Sequence, residues 1–273
     1  YMREKTPPDE EKLLSIYSEI LAAAENKPVT VRVLDLTQDK LPSYISIPAE
    51  TNLNMEGRGA RALQIFKDLY LTQVRSLLRA AATGNVRILF PMVNDPHDLT
   101  AFKALLDEAR EGLKNDGLEY GNPALGIMFE TPSSIMMAEE LLDMIDFANL
   151  GTNDLLEYSI AASRADLRSQ LMYHIMHPSI IKMIIALAAA GKKADKEVCL
   201  CGEISSYEHY YPILLDTGLT SFSVPASKYE DIKCELLHLD MGDIRGSSDT
   251  YLRTGNREEQ DETIESLYRK HQV

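Results

Sequence analysis

The sequence predicts an α/β fold built on parallel strands, either an open sheet or a barrel, and three observations carry that expectation. Short apolar, β-rich runs alternate with longer amphipathic stretches at helical spacing. Most of the short runs are continuously apolar rather than alternating, as parallel strands covered by helices tend to be. The links between successive elements are short, which suits strand–helix units repeated along one chain. At 273 residues the chain fits one large domain spanning 1–273, long enough to bury a core without disulfides or metal staples.

Pro8 and Asp9 open the first helix, which runs to about Glu25 with Leu13, Leu14, Tyr17, Ile20 and Leu21 on one face. A strand follows at 29–35. Residues 60–83 read as a helix closed by Gly84, although 60–65 also admits a weak strand. Next come a strand at 86–92, a helix at 95–116 and a strand at 124–130. Thr131-Pro132 introduces a helix at 133–144, and 145–150 is a further strand. A helix at 177–190 begins at Pro178 and closes at Gly191, before strands at 197–202 and 221–224. The charged stretch 255–273 is helix-forming and fits a last outer helix. These make six or seven strand–helix units. An eightfold barrel needs one more strand, and the chain opens abruptly at Tyr1-Met2, as though one had been cut away.

Hydrophobic content of 45% and charged content of 26% are ordinary for a soluble globular protein. A net charge of −14 argues against a nucleic-acid partner, since no basic face can track phosphates. It leaves room for a small phosphorylated substrate, because a few arginines converging in a cleft set a local positive potential. Cysteines 199, 201 and 234 make no disulfide framework, and the first two are too close for an ordinary bridge in an extended strand. They form no Cys-x-x-Cys half-site either, so a cytoplasmic, reducing location is expected. The N-terminal residues have no apolar signal core, and the most apolar stretch, 183–191, is too short to span a bilayer, so no membrane insertion is expected.

In a parallel barrel the chemistry sits where strands end. The strand at 124–130 ends in Glu130-Thr131-Pro132, and the next in Asn149-Leu150-Gly151-Thr152-Asn153-Asp154. Magnesium is held by one or two carboxylates with water and substrate phosphate, so Glu130 with Asp154 fits that ion. Equally, Glu130 reads as a salt-bridged rim residue and Asp154 as a helix cap. Arg32 interrupts the apolar run Val29-Thr30-Val31-Arg32-Val33, which suggests a side chain reaching a polar mouth or pairing with Asp35 or Asp39. Arg58, Arg61 and Arg164 are further candidates for gripping phosphate and carboxylate, or for solvated positions. Cys201 closes a strand with Cys199 on the same face. A thiol stays mostly protonated at neutral pH and can serve as a general acid, though an isolated buried cysteine is more often packing. Cys199 and Cys234 read as packing. The six histidines form no ligand pair, and no nucleophile elbow, Walker loop or dinucleotide fingerprint is present.

The strand-end motifs, taken in order, resemble the C-terminal domain of enzyme I, the phosphoenolpyruvate–protein phosphotransferase of the bacterial sugar phosphotransferase system. Pyruvate phosphate dikinase and phosphoenolpyruvate synthase share the core motifs. The resemblance is carried by Val31-Arg32-Val33-Leu34-Asp35 with Asp39-Lys40, by Arg87-Ile88-Leu89-Phe90-Pro91-Met92 and by Gly126-Ile127-Met128-Phe129-Glu130-Thr131-Pro132. It continues through Gly151-Thr152-Asn153-Asp154-Leu155, Arg164, His177-Pro178-Ser179 and Cys201-Gly202-Glu203, and runs from Tyr1 to about Lys233.

That resemblance implies a (β/α)8 TIM-type barrel lacking its first strand here. It implies that Glu130 and Asp154 bind Mg2+, that Arg32, Arg58, Asn153, Asp154 and Arg164 contact phosphoenolpyruvate, and that Cys201 protonates the enolate to release pyruvate. The implied partners are a phosphohistidine domain of the same protein and, through it, the phosphocarrier protein, with a homodimer as the assembly. The Asp-hydrophobic-Gly-Gly-Asp-Lys loop of the family reads Asp35-Leu36-Thr37-Gln38-Asp39-Lys40. Its Leu-Gly-x-Arg-x-x-Arg approach reads Met55-Glu56-Gly57-Arg58-Gly59-Ala60-Arg61, and Cys201-Gly202-Glu203 is followed by Ile204-Ser205-Ser206. These departures leave open a degenerate barrel that senses phosphoenolpyruvate or serves as a dimer platform. A magnesium barrel acting on carbon–carbon bonds of pyruvate explains less, because it gives Cys201 and the arginines nothing to do.

Overall fold

The computed structural model describes residues 5–37, 41–45, 57–162 and 174–270. Among the described residues six strands follow one another in sheet order, β1 to β6, and every resolved register is parallel. The α/β class, the parallel strands and the six strand runs are as expected. The chain divides into two compact units, 1–128 with 144–147, and 129–143 with 148–273.

The first unit holds α1 (Glu10–Ala23), β1 (Val29–Arg32), α2 (Leu63–Ala80), β2 (Val86–Phe90), α3 (Pro96–Asn115) and most of β3 (Ala124–Phe129). Asp9 caps α1 by accepting from the Lys12 N–H at 2.8 Å, and Asp95 caps α3 with Pro96 as its first residue. The expected weak strand at 60–65 is instead a 3-10 turn, Gly59–Ala62, leading into α2. Its Gly59 sits at φ +62, and an added Cβ would meet the Met92 carbonyl oxygen at 2.5 Å, so only glycine fits. Leu13, Tyr70, Val74, Leu77, Ile88, Phe90, Phe102 and Leu106 are buried, each contributing roughly 1.5–3 kcal/mol for its larger apolar side chains. A buried polar relay fixes the segment after β1: Leu34 donates its N–H to Gln73 at 2.9 Å, Tyr70 donates to the Leu34 carbonyl at 2.7 Å, and Gln73 donates to Tyr17 at 3.2 Å. Gly126 makes room for Phe147, whose ring also receives the Arg87 guanidinium at 3.7 Å.

The second unit holds α4 (Pro132–Met136), α5 (Ala138–Leu142), most of β4 (Phe147–Gly151), α6 (Thr152–Ile160), α7 (Pro178–Ala194), β5 (Glu197–Cys201), α8 (Tyr211–Asp216), β6 (Ser221–Phe222), α9 (Tyr229–His238), α10 (Ser247–Leu252) and α11 (Arg257–Lys270). The helix expected at 133–144 is broken at Met137, giving α4 and α5. The α7 helix passes through Gly191, the expected stop, and ends at Asp195 in the left-handed conformation. Gly191 is needed for packing instead, because a Cβ there would meet Val198 at 2.4 Å. Asp216 caps α10 from a distance, accepting from the Gly246 and Ser248 N–H groups at 2.9 Å and from the Ser248 hydroxyl at 2.6 Å. No helix among the described residues is long and apolar enough to cross a membrane.

Candidate functional site

Every residue of β4 is buried, including Asn149 at its centre, and Gly151 forms the N-cap of α6. That strand delivers Thr152, Asn153 and Asp154 into the first turn of α6. Asp154 therefore lies inside the helix, not at the cap, although a carboxylate in a first turn still complements the helix dipole. On β5, Val198 and Leu200 are buried while Cys199 and Cys201 lie half-buried on the other face.

The β4–α6 turn and the end of β5 are locked together. Thr152 donates its hydroxyl to the Cys201 carbonyl at 3.0 Å, and Glu203 donates its N–H to Asn153 Oδ1 at 3.0 Å. Asn149 Nδ2 donates to Cys201 Sγ at 3.1 Å. Gly202 permits this approach: it sits at φ +105, and a Cβ would meet Thr152 Oγ1 at 2.3 Å and Asn153 Oδ1 at 3.0 Å. The bond to Glu203 fixes the orientation of the Asn153 amide, whose nitrogen carries N–H donors of the kind that suit an anion.

The Cys199 thiol beside it, and then burial, push the Cys201 thiol above its usual range; Asn149 and Ser223 pull it down without cancelling that rise. Cys201 is thus held as a protonated thiol at neutral pH, the form in which a thiol can give up a proton. Cys199 shares that face of β5. Cys234, expected to pack, is exposed on α9.

Glu130 follows β3 directly and is 1% exposed, a burial at which a carboxylate persists only with compensating charge or donors. Asp154 is half-buried in the same unit. Among the described residues no group of three or more acidic, histidine or cysteine side chains is placed to hold a metal. Two hard carboxylates suffice for magnesium, which takes its remaining oxygens from water and substrate, so this donor set fits that ion.

In the first unit Arg58 is 5% exposed and forms a two-pronged pair with Asp35, Nε to Oδ1 at 3.0 Å and Nη2 to Oδ2 at 2.5 Å. Asp35 is thereby the partner of Arg58, whereas the sequence left a pair with Asp35 or Asp39 as the alternative reading of Arg32. Arg32 is exposed at the end of β1, and Arg61 is exposed in the 3-10 turn. Arg164 and Asp39 lie outside the described residues. The structure thus brings Cys201, Asn153 and the Asp154-bearing turn together. It adds two residues without a sequence assignment, Asn149 and Thr152. Asn149 carries the same signal as Arg32: a polar residue at the centre of an apolar strand needs a partner.

Comparison with known proteins gives a family match over residues 1–241, described as PEP-utilising enzyme, PEP-binding domain. The chain is 34% identical over 269 residues to a phosphoenolpyruvate-protein phosphotransferase of Priestia megaterium, covering 98% of this chain and 47% of that protein. It is 37% identical over 228 residues to the protein of the same name from Staphylococcus aureus, covering 83% and 40%. With multiphosphoryl transfer protein 1 of Escherichia coli it shares 33% identity over 241 residues, covering 88% and 29%. The chain therefore spans about half or less of the length of these relatives. Among solved structures, a citrate lyase from Burkholderia xenovorans aligns over 97% of this chain and 89% of its own with a TM-score of 0.51. At 15% identity that is a likeness of fold alone.

Proposed function

Since the chain belongs to the PEP-utilising enzymes through their PEP-binding domain, we propose that it is the phosphoenolpyruvate-binding catalytic part of a phosphoenolpyruvate–protein phosphotransferase. The observation that carries this reading is the Cys201-Gly202-Glu203 segment, fixed against Asn149, Thr152 and Asn153 with its thiol held protonated. Loss of the phosphoryl group turns phosphoenolpyruvate into an enolate, and a positioned acid must deliver a proton to its methylene carbon to release pyruvate. Cys201 supplies that proton. Its S–H bond breaks as the C–H bond forms, and the thiolate regains a proton from solvent.

Glu130 and Asp154 are the residues that would hold Mg2+, which when bound supplies positive charge against the substrate's oxygens. Asn153 binds the substrate's anionic groups through its amide N–H donors. Arg32, Arg58 and Arg164 take the same anion-binding roles by their match to the family motifs, and guanidinium forks suit phosphate and carboxylate alike. In the parent protein the acceptor is a histidine in a separate domain, with the phosphocarrier protein beyond it, in a cytoplasmic homodimer serving sugar uptake. The six parallel strands belong, in this reading, to a (β/α)8 barrel.

Calorimetric titration of this chain with phosphoenolpyruvate tests the binding half. Heat of binding is expected with magnesium, with loss on chelation or in Glu130→Gln. Equal affinity with and without magnesium would refute the metal assignment. For the catalytic half, a Cys201→Ala parent protein that forms pyruvate at the normal rate would refute the acid assignment.

A further inference from the structure

We propose that Asn149 is the positioning residue that aims the Cys201 thiol and stabilises the thiolate formed when that thiol gives up its proton; the inference rests on Cys201 being the acid. Asn149 occupies the centre of β4, where all five residues are buried and the other four are apolar or glycine. A buried amide costs free energy there unless it is hydrogen-bonded, and packing alone favours valine or leucine. Its Nδ2 reaches Cys201 Sγ at 3.1 Å.

The direction of that bond determines what it does. An amide N–H donates to a sulfur lone pair, so the one proton of the thiol points away from Asn149; here the Cys199 carbonyl accepts it at 3.8 Å, and it turns from that weak contact to reach a substrate. Neutral sulfur is a weak acceptor, so the bond contributes little while the thiol keeps its proton. On transfer, the electron pair of the broken S–H bond stays on sulfur, and the Asn149 contact becomes charge-assisted, roughly twice as strong. An interaction that strengthens as the proton leaves speeds the step rather than merely the binding. The sulfur cannot drift from this contact, because Thr152 and Asn153 hold the Cys201 carbonyl and the Glu203 N–H from the same turn. Among the described residues the side chains acting on the thiol are Cys199 from its own strand, Asn149 from β4 and Ser223 from the segment after β6. Of these only Cys199 titrates, and the nearby Glu203 is exposed to solvent.

The test uses iodoacetamide on this chain at mildly alkaline pH, with the Cys201 and Cys234 peptides followed by mass spectrometry. Asn149→Ala is expected to slow Cys201 alkylation about tenfold, the loss of a charge-assisted bond to the thiolate. Asn149→Leu, which keeps the volume and removes the donor, gives the same slowing if the alanine version folds poorly. Asn149→Ser retains a donor and recovers part of the rate. Exposed Cys234 reacts equally in all versions and reports any general loosening. In the parent protein the alanine exchange lowers kcat for pyruvate formation, with KM for phosphoenolpyruvate held within about twofold. Faster Cys201 alkylation in Asn149→Ala would mean that the amide oxygen holds the thiol proton, and would overturn the proposal, as would an unchanged rate. A parent Cys201→Ala protein of normal activity would sink the acid reading by itself, whatever the alkylation rates show.

Discussion

Alanine at position 202 would place a methyl group 2.3 Å from Thr152 Oγ1 and 3.0 Å from Asn153 Oδ1, on a backbone at φ +105. The conformation alone costs an L-residue about 1–2 kcal/mol. Relief of the clash requires Thr152 and Asn153 to move, which loses their bonds to the Cys201 carbonyl and the Glu203 N–H, at about 0.5–1.5 kcal/mol each. The sum is roughly 2–5 kcal/mol. At roughly 3 °C per kcal/mol for a chain of this size, the melting temperature falls by roughly 6–15 °C. Gly218 provides the control, since it sits at φ +93 with nothing within 4 Å of an added Cβ. Gly218→Ala carries the backbone cost without the clash and should lower the melting temperature by roughly 3–6 °C. Thermal unfolding by circular dichroism measures both, and calorimetric binding of phosphoenolpyruvate reads the site, which Gly202→Ala abolishes and Gly218→Ala preserves. Equal destabilisation of the two variants, or full binding by Gly202→Ala, would refute the locked arrangement of the turn.

Arg58→Ala leaves Asp35 buried without the partner that holds both of its oxygens, with side-chain exposures of 5% and 3% in the pair; urea denaturation should show a loss of about 3–5 kcal/mol, largely recovered in Arg58→Ala with Asp35→Ala. Burial first, then the charges of His174 and Arg257, hold His177 below the usual histidine range, and burial does the same to His209. The unfolded chain then binds these protons more readily, so the associated stability is present above about pH 6.5 and is lost as pH falls below it toward the folded values. Protonation also removes the Nδ1 acceptor that caps Ser179 N–H at 3.2 Å, so His177→Asn, which keeps a cap, should flatten the fall in melting temperature between about pH 7.5 and 5.5. Cys199→Ala removes the largest influence raising the Cys201 thiol and should speed its alkylation, opposite in sign to Asn149→Ala; a slower rate would contradict the role given to Cys199.

The strands were legible because each is a short apolar run, and each of the six expected runs overlaps one. Their ends were less so, since 29–35 and 221–224 shorten to four and two residues as the chain leaves the sheet for loops. Helix interruptions escaped pattern reading for a local reason: Met137 carries nothing in its side chain that announces a break, and Gly191 resembles a stop while serving the approach of Val198. Glu130 and Cys201 stand at their strand ends as read from the sequence, but each residue type admits a structural role beside a chemical one, so spacing alone did not assign them. Asn149 and Thr152 were not, because their partners lie about fifty positions away, on Cys201. Arg58 was ambiguous in sequence because its carboxylate, Asp35, stands 23 residues off.

The division of labour within the β4–α6 turn makes the chemistry separable from the scaffold. Thr152 and Asn153 hold backbone atoms of residues 201 and 203, so both bonds are indifferent to the side chain at 201. Asn149 addresses the sulfur itself from β4. Exchange of Cys201 for serine or alanine therefore keeps the lock, and the loss of function it produces measures the thiol. Exchange of Gly202 breaks the lock while leaving the thiol in the chain. Asn149 variants keep both and alter only the contact between them. Three neighbouring positions thus perturb proton donation, site geometry and their coupling one at a time, and agreement among the three sets of rates would tie the reactivity of Cys201 to its place in the fold.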